Sequence, residues 1–244
     1  MIIRIQVVLA ILMATTVAAK PMDKKLGLHS DGGAWRFYPA KEVDDKLPNV
    51  LLIGDSIMNG YRSHVINELR GKANIDCWLT PVHLKSKGLH EDLNKVATFR
   101  QYDVIHFNIG LHGWPKGRIT KKEYPELLKA YVVTLKKHAP EAKLIWGSTT
   151  QVHERGKQEL NKEINPVIVR RNIMAGQVMK GEGITVNDLY GLMNDKLHLV
   201  RGDRFHWKPE AYQLMAKQIV KIINAIITDS IEESSNKTSG GDVQ

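Results

Sequence analysis

Cysteine is nearly absent: Cys77 stands alone among 244 residues. No intramolecular disulfide can form, so the fold rests on a packed core even in an oxidising compartment. Cys77 lies in the apolar context Ile75-Asp76-Cys77-Trp78-Leu79 and reads as a small buried hydrophobe rather than a nucleophile. Also missing is an uninterrupted apolar run of about 20 residues, the length a membrane helix needs. No stable membrane span is therefore expected in the mature chain. The histidines at 106, 112, 153, 198 and 206 lack metal-ligand spacing, so neither a structural nor a catalytic metal is expected. No nucleic-acid-binding motif occurs. Acidic residues are the scarcer charge: 26 Asp and Glu against 35 Lys and Arg leave a formal net charge of +9. That surplus favours anionic partners such as acidic polysaccharide, or it serves solubility alone.

What is present begins with a leader pattern. Arg4 precedes the apolar stretch Ile5–Ala14, followed by the small residues Thr15-Thr16-Val17-Ala18-Ala19. This predicts a signal peptide over 1–19 and a secreted or periplasmic protein. Residues 20–48 read as an irregular extension, with turns at Asp31-Gly32-Gly33 and breaks at Pro39 and Pro48. From 49 to 229 strand-like and helix-like segments alternate. Strands are predicted at 49–53, 75–79, 103–108, 143–146 and 184–186, and helices at 63–70, 89–100, 124–138, 164–180 and 209–227. The alternation implies one α/β domain with a parallel sheet and helices on both faces. The segment 230–244 is expected to be a disordered tail, and Asn236-Lys237-Thr238 within it matches a glycosylation sequon.

Chemistry concentrates at three places that this topology brings to one edge. Gly54-Asp55-Ser56 ends the apolar run Val50-Leu51-Leu52-Ile53, so a serine hydroxyl stands at the tip of a buried strand. Asp203-Arg204-Phe205-His206 precedes the last helix and supplies a base with a carboxylate to orient it. The segment Asn108-Ile109-Gly110-Leu111-His112-Gly113-Trp114 follows the third predicted strand. In a parallel sheet all three lie at the carboxyl ends of the strands, where active groups gather.

With those residues in view, the chain resembles the SGNH hydrolases, also called GDSL-type esterases, over about Val50 to Ile227. Gly54-Asp55-Ser56 matches the first family block and Asp203–His206 the last. The resemblance implies a flavodoxin-like three-layer α/β/α sandwich, here with a mainly parallel five-stranded sheet. It further implies ester hydrolysis without a cofactor, with Ser56 as nucleophile, His206 as general base and Asp203 as its partner. The implied oxyanion hole combines the N–H of Ser56, that of Gly88, which otherwise reads as a glycine opening a helix, and a side chain after the third strand. The family has an asparagine at that last position; aligning on Gly110 puts His112 there instead. Asn108 is the alternative donor, and an ordinary packed histidine the alternative role for His112.

Trp114 and Trp207 flank the predicted site and are assigned to stacking on a sugar, with core packing as the alternative. The basic run Lys116–Lys122 either meets an acidic glycan or is a solvated loop. An acylated carbohydrate or another small ester is the expected substrate. A lipid esterase, or a noncatalytic glycan-binding protein on the same scaffold, is the competing expectation.

Overall fold

Strand periodicity decides the layers. The computed structural model describes residues 26–239, with side chains to 229, so the leader over 1–19 lies outside the described residues. Six strands form one sheet in the order β1-β3-β2-β4-β5-β6. They are β1 (Arg36–Tyr38), β2 (Asn49–Gly54), β3 (Asn74–Leu79), β4 (Val104–Phe107), β5 (Lys143–Gly147) and β6 (Thr185–Asn187). All pairings are parallel except β1 against β3. Along β2, Val50 and Leu52 point into one core while Leu51 and Ile53 point into the other. A strand buried on both faces reads as a continuous apolar run, which is what Val50–Ile53 is. Each such side chain contributes roughly 1.5–3 kcal/mol by leaving water.

Helices cover both faces. On one side α1 (Ser56–Glu68) packs on α6 (Pro209–Ser239). On the other, α2 (Leu89–Ala97), α3 (Tyr124–His138) and α4 (Asn165–Gly181) pack in succession, and the short α5 (Leu189–Leu192) follows β6. The chain runs from β2 to β3 on one side and then crosses to β4 on the other. The reversal leaves a crevice at the carboxyl ends of β2 and β4, where α/β folds place ligands.

Three expectations are corrected. The sheet has six strands rather than five, because part of the segment expected to be irregular over 20–48 forms the edge strand β1. Three residues are too few to leave a period-two signal, and side chains of the neighbouring segments hold this region instead. Buried Asp76 accepts the Ala40 N–H at 2.7 Å, and Asn74 accepts that of Asp44 at 3.0 Å while donating to the Asp44 and Leu47 carbonyls. Asp92 likewise accepts the N–H groups of His29 and Ser30. Secondly, α1 begins at Ser56, seven residues before the predicted start. Thirdly, α6 runs to Ser239, taking in 230–239 of the expected disordered tail; residues beyond 239 lie outside the described ones. Among the described residues no helix is long and apolar enough to cross a membrane. Cys77 is buried in β3, where burial pushes its thiol up to about 12, so it is not a thiolate at neutral pH.

Gly60 explains why the start of α1 escapes a sequence reading. A glycine inside a helix costs about 1 kcal/mol relative to alanine and argues against one. Here it is required by packing: a Cβ at Gly60 would lie 2.3–2.6 Å from ring atoms of Tyr212 on α6. We expect Gly60→Ala to destabilise the protein by roughly 1–3 kcal/mol, as overpacking does. Gly176, on α4 with open space where its Cβ would stand, is the control. Alanine there is expected to be neutral or stabilising by up to about 1 kcal/mol. Denaturant titration of the two variants checks the contrast, and equal effects would refute the packing argument.

Candidate active site

The site starts from a helix cap. Asp55 has extended backbone angles, and its buried carboxylate accepts the Ile57 N–H at 2.9 Å. Asp55 therefore caps α1, and Ser56 is the first helical residue. The leading N–H groups of a helix have no intrahelical acceptor and carry the positive end of its dipole. Ser56 Oγ thus sits where negative charge is favoured. Burial raises the Asp55 pKa, opposed by the neighbouring His112, the Ile57 N–H and His206.

The partner groups come from a closed loop ahead of α6. Val200 and Trp207 form an antiparallel bridge, and Arg201 N–H donates to the His206 carbonyl at 3.0 Å. The His153 N–H, from the segment after β5, donates to the Arg204 carbonyl at 2.8 Å and ties the loop to the sheet edge. Within the loop, Asp203 Oδ1 accepts the N–H groups of Phe205 at 2.9 Å and His206 at 2.7 Å. Its Oδ2 lies 2.8 Å from His206 Nδ1, and His206 Nε2 lies 2.8 Å from Ser56 Oγ.

Protonation states follow from these contacts. Burial works to raise the Asp203 pKa, but the two backbone N–H groups and the His206 side chain outweigh it and hold the carboxyl at about 2. An ionised carboxylate only accepts, so Nδ1 of His206 carries hydrogen, and when the ring is neutral Nε2 is left to accept from the Ser56 hydroxyl. Three side chains up to 150 positions apart form one directed hydrogen-bond chain.

The remaining predicted residues divide. His112 lies on a short 3₁₀ turn, Leu111–Gly113. Its Nε2 is 3.9 Å from Asp55 Oδ2, its ring stands edge-on to Trp35 at 5.8 Å, and its side chain is 31% exposed. It therefore stands beside the residue preceding Ser56 and retains access to solvent. Asn108 is turned elsewhere: its amide donates to the Gly147 carbonyl at 2.6 Å and reaches Thr149 Oγ1 at 3.4 Å. Those contacts commit its N–H groups to the end of β5, against the oxyanion alternative.

Gly88 is placed by other contacts than the triad. It opens α2 with a left-handed φ of 75°, and the His29 ring covers the space where a Cβ would be. That is the structural role the sequence allowed for it. Trp207 is a correction. It is 1% exposed and meets the His153 ring edge-on at 4.4 Å, so it has no face to offer a sugar and instead anchors the loop. Trp114 is partly buried and faces Phe205 with ring centroids 6.4 Å apart, one residue from His206. Sequence reasoning missed Asp55 as a cap and His153 as a buried support. The Asp-Ser pair at a strand end was a legible cap signal; nothing in the sequence marks His153.

No protein-family model and no curated protein sequence matches the chain. Solved structures do. A lipase/acylhydrolase from Enterococcus faecalis superposes with a TM-score of 0.61 at 18% identity, covering 73% of this chain and 96% of that one. The chain has the SGNH/GDSL hydrolase fold. An acetylxylan esterase from Geobacillus stearothermophilus matches with a TM-score of 0.58 at 15% identity, over 71% of this chain and 93% of its own. A member of the lipolytic G-D-S-L family from Veillonella parvula gives 0.57 at 17% identity, over 72% and 98%. The SGNH fold accordingly spans these smaller proteins almost whole, and this chain carries additional length around it.

The buried support under the site makes a testable demand. Burial lowers the pKa of His153, and that of His106 in the sheet, to about 4, against about 6.5 in an unfolded chain. The unfolded state therefore binds more protons below pH 6.5, and stability is lost as pH falls from about 6.5 toward 4. We expect the melting temperature to drop through that window and His153→Phe to make the drop shallower. An unchanged slope in that variant would contradict the assignment.

Proposed function

We propose that this chain is an exported serine esterase that removes O-acyl groups, acetyl in particular, from a carbohydrate. The observation that carries the reading is the Ser56–His206–Asp203 hydrogen-bond chain at the head of α1. The leader-like residues 1–19 support export, and the aromatic pair Trp114 and Phe205 beside His206 supports a sugar substrate. Among proteins of this fold, the names acetylxylan esterase and lipase/acylhydrolase both denote cleavage of acyl esters.

The steps follow from the geometry. As Ser56 Oγ attacks the ester carbonyl, its proton passes to His206 Nε2, and the resulting imidazolium is stabilised by Asp203 across 2.8 Å. The developing oxyanion is held by the Ser56 backbone N–H and by the His112 side chain, which replaces an amide donor. Collapse expels the sugar alcohol, which takes the proton from Nε2. Water then repeats the sequence on the acyl-enzyme and releases the acid. Asp203 needs no proton at any step, in keeping with a pKa of about 2.

Hydrolysis of a nitrophenyl acetate ester tests the reading. Ser56→Ala is expected to lower kcat by about 10⁶ and Asp203→Ala by roughly 10⁴, the losses seen when a nucleophile and its orienting acid are removed from a triad. His112→Ala is expected to cost about 10²- to 10³-fold and His112→Asn much less, as removal and replacement of an oxyanion donor should. Turnover surviving in Ser56→Ala would end the proposal. Equal rates for both His112 variants and wild type would remove His112 from the oxyanion hole. Comparison with the octanoyl ester separates an acetylesterase from a lipid esterase, since only the latter gains from the longer chain.

A further inference from the structure

Buried charges in this molecule are met by partners. Asp76 is paired with Arg100 at 3.0 Å and with the Tyr102 hydroxyl at 2.8 Å, and Asp92 with His29 at 3.0 Å. Arg171 on α4 has no carboxylate beside it among the described residues; its guanidinium lies over the Tyr124 ring, 5.1 Å from the centroid. It is 6% exposed, its Nη2 donates to the Ile119 carbonyl at 2.8 Å, and its Nη1 has no hydrogen-bond partner. Among the described residues no Asp or Glu forms an ion pair with it. A buried guanidinium without a counter-charge is costly, by several kcal/mol per ion in the general case. An arriving anion would offset that cost, and the planar guanidinium suits carboxylate and sulfate geometry.

The place where it would arrive is visible. Arg171 lines a groove of about 450 Å³ between the segment after β4 and the first half of α4. Trp114 forms one wall, and Lys116, Lys121 and Arg170 add three cations against the single acid Glu163. The groove joins the catalytic loop through the Trp114–Phe205 contact. Arg171 also passes beneath the turn that carries His112: a Cβ at Gly113 would come within 3.0 Å of its Nη1.

We propose that this groove is the subsite for an anionic sugar, a carboxylate- or sulfate-bearing unit of the esterified saccharide, with Arg171 as its buried anchor. The proposal rests on the esterase reading above and names its substrate class. Trp114 takes the apolar ring face while the Arg171 guanidinium, at the floor of the groove, meets the acid group, and Lys116, Lys121 and Arg170 draw the polyanion in.

The test is binding by the full-length Ser56→Ala protein, read by calorimetry and so independent of turnover. Three oligosaccharides of equal length are compared: an oligouronate, the same oligomer with its carboxyls amidated, and a sulfated neutral oligomer. The expected result is at least about ten-fold tighter binding of the oligouronate or the sulfated oligomer than of the amidated one, close to 1.4 kcal/mol, weakening as salt rises. Which of the two anions binds tighter identifies the acid group. Arg171→Gln is expected to bring the charged and amidated ligands to within about three-fold of each other, as loss of a charge-assisted hydrogen bond would. Should that variant fail to fold, the rim substitutions Lys121→Gln and Arg170→Gln together are expected to reduce the ratio about three-fold. Equal affinity of wild-type groove residues for all three ligands overturns the proposal. If the anions bind but no ester is hydrolysed, the catalytic reading falls and the subsite stands; hydrolysis without anion preference gives the reverse.

Discussion

The contact between α1 and α6 holds the site together. Ser56 is the first residue of α1, four positions before Gly60, and His206 lies six before Tyr212. The close approach of Gly60 to the Tyr212 ring therefore helps fix how far Ser56 Oγ stands from His206 Nε2. The Tyr212 hydroxyl in turn accepts the Trp207 N–H at 3.3 Å, adjacent to His206. Catalytic geometry tolerates errors of only about half an ångström, so a rigid crossing next to both groups is worth more than either cap or loop alone. A glycine that weakens a helix locally is here the condition for joining two helices.

Polar groups beneath the rim are arranged on the same principle. His106 in β4 is buried and bonded to the Asn187 amide at 3.1 Å, whose oxygen accepts from Gln218 of α6 at 2.7 Å. Ser148 Oγ donates to the Asp188 cap of α5 and accepts the Tyr190 N–H. Such networks stiffen the strand ends at which the loops depart, because each bond made in a buried network narrows the alternative arrangements, although His106 Nδ1 finds no partner within it.

How much of this could be read from the sequence depends on the range of the cause. The runs at β2, β4 and β5 were legible because burial on both faces leaves continuous apolar letters. Ser56, Asp203 and His206 were legible because each sits in a short local pattern at a strand or helix end. The start of α1 was not, since Gly60 answers to Tyr212 more than 150 residues away. β1 was hidden for the same reason: Asp76 and Asn74 hold its segment, and neither announces a partner 30 positions earlier. Trp207 shows the converse error. Its neighbourhood to His206 in the chain is real, yet the loop must bury something to stay closed, and the tryptophan does that.

The proposed recognition and catalytic groups meet in the segment from Leu111 to Lys121. Arg118 Nη1 donates to the His112 carbonyl at 2.6 Å from the rim, and Arg171 Nη2 holds the Ile119 carbonyl from below. Two arginines thus clamp the turn that presents His112, one exposed and one buried. An anion bound by Arg171 would neutralise a charge lying directly under that turn and remove the main electrostatic penalty in the clamp. Binding energy from a remote part of a substrate accelerates a reaction only when it is expressed in the placement of groups that meet the transition state. On the proposed reading, a guanidinium shared between the groove and the turn bearing His112 is a physical route for that transfer. The bound anion would also offset the cost of burying an arginine where a neutral side chain of similar volume would fold more easily.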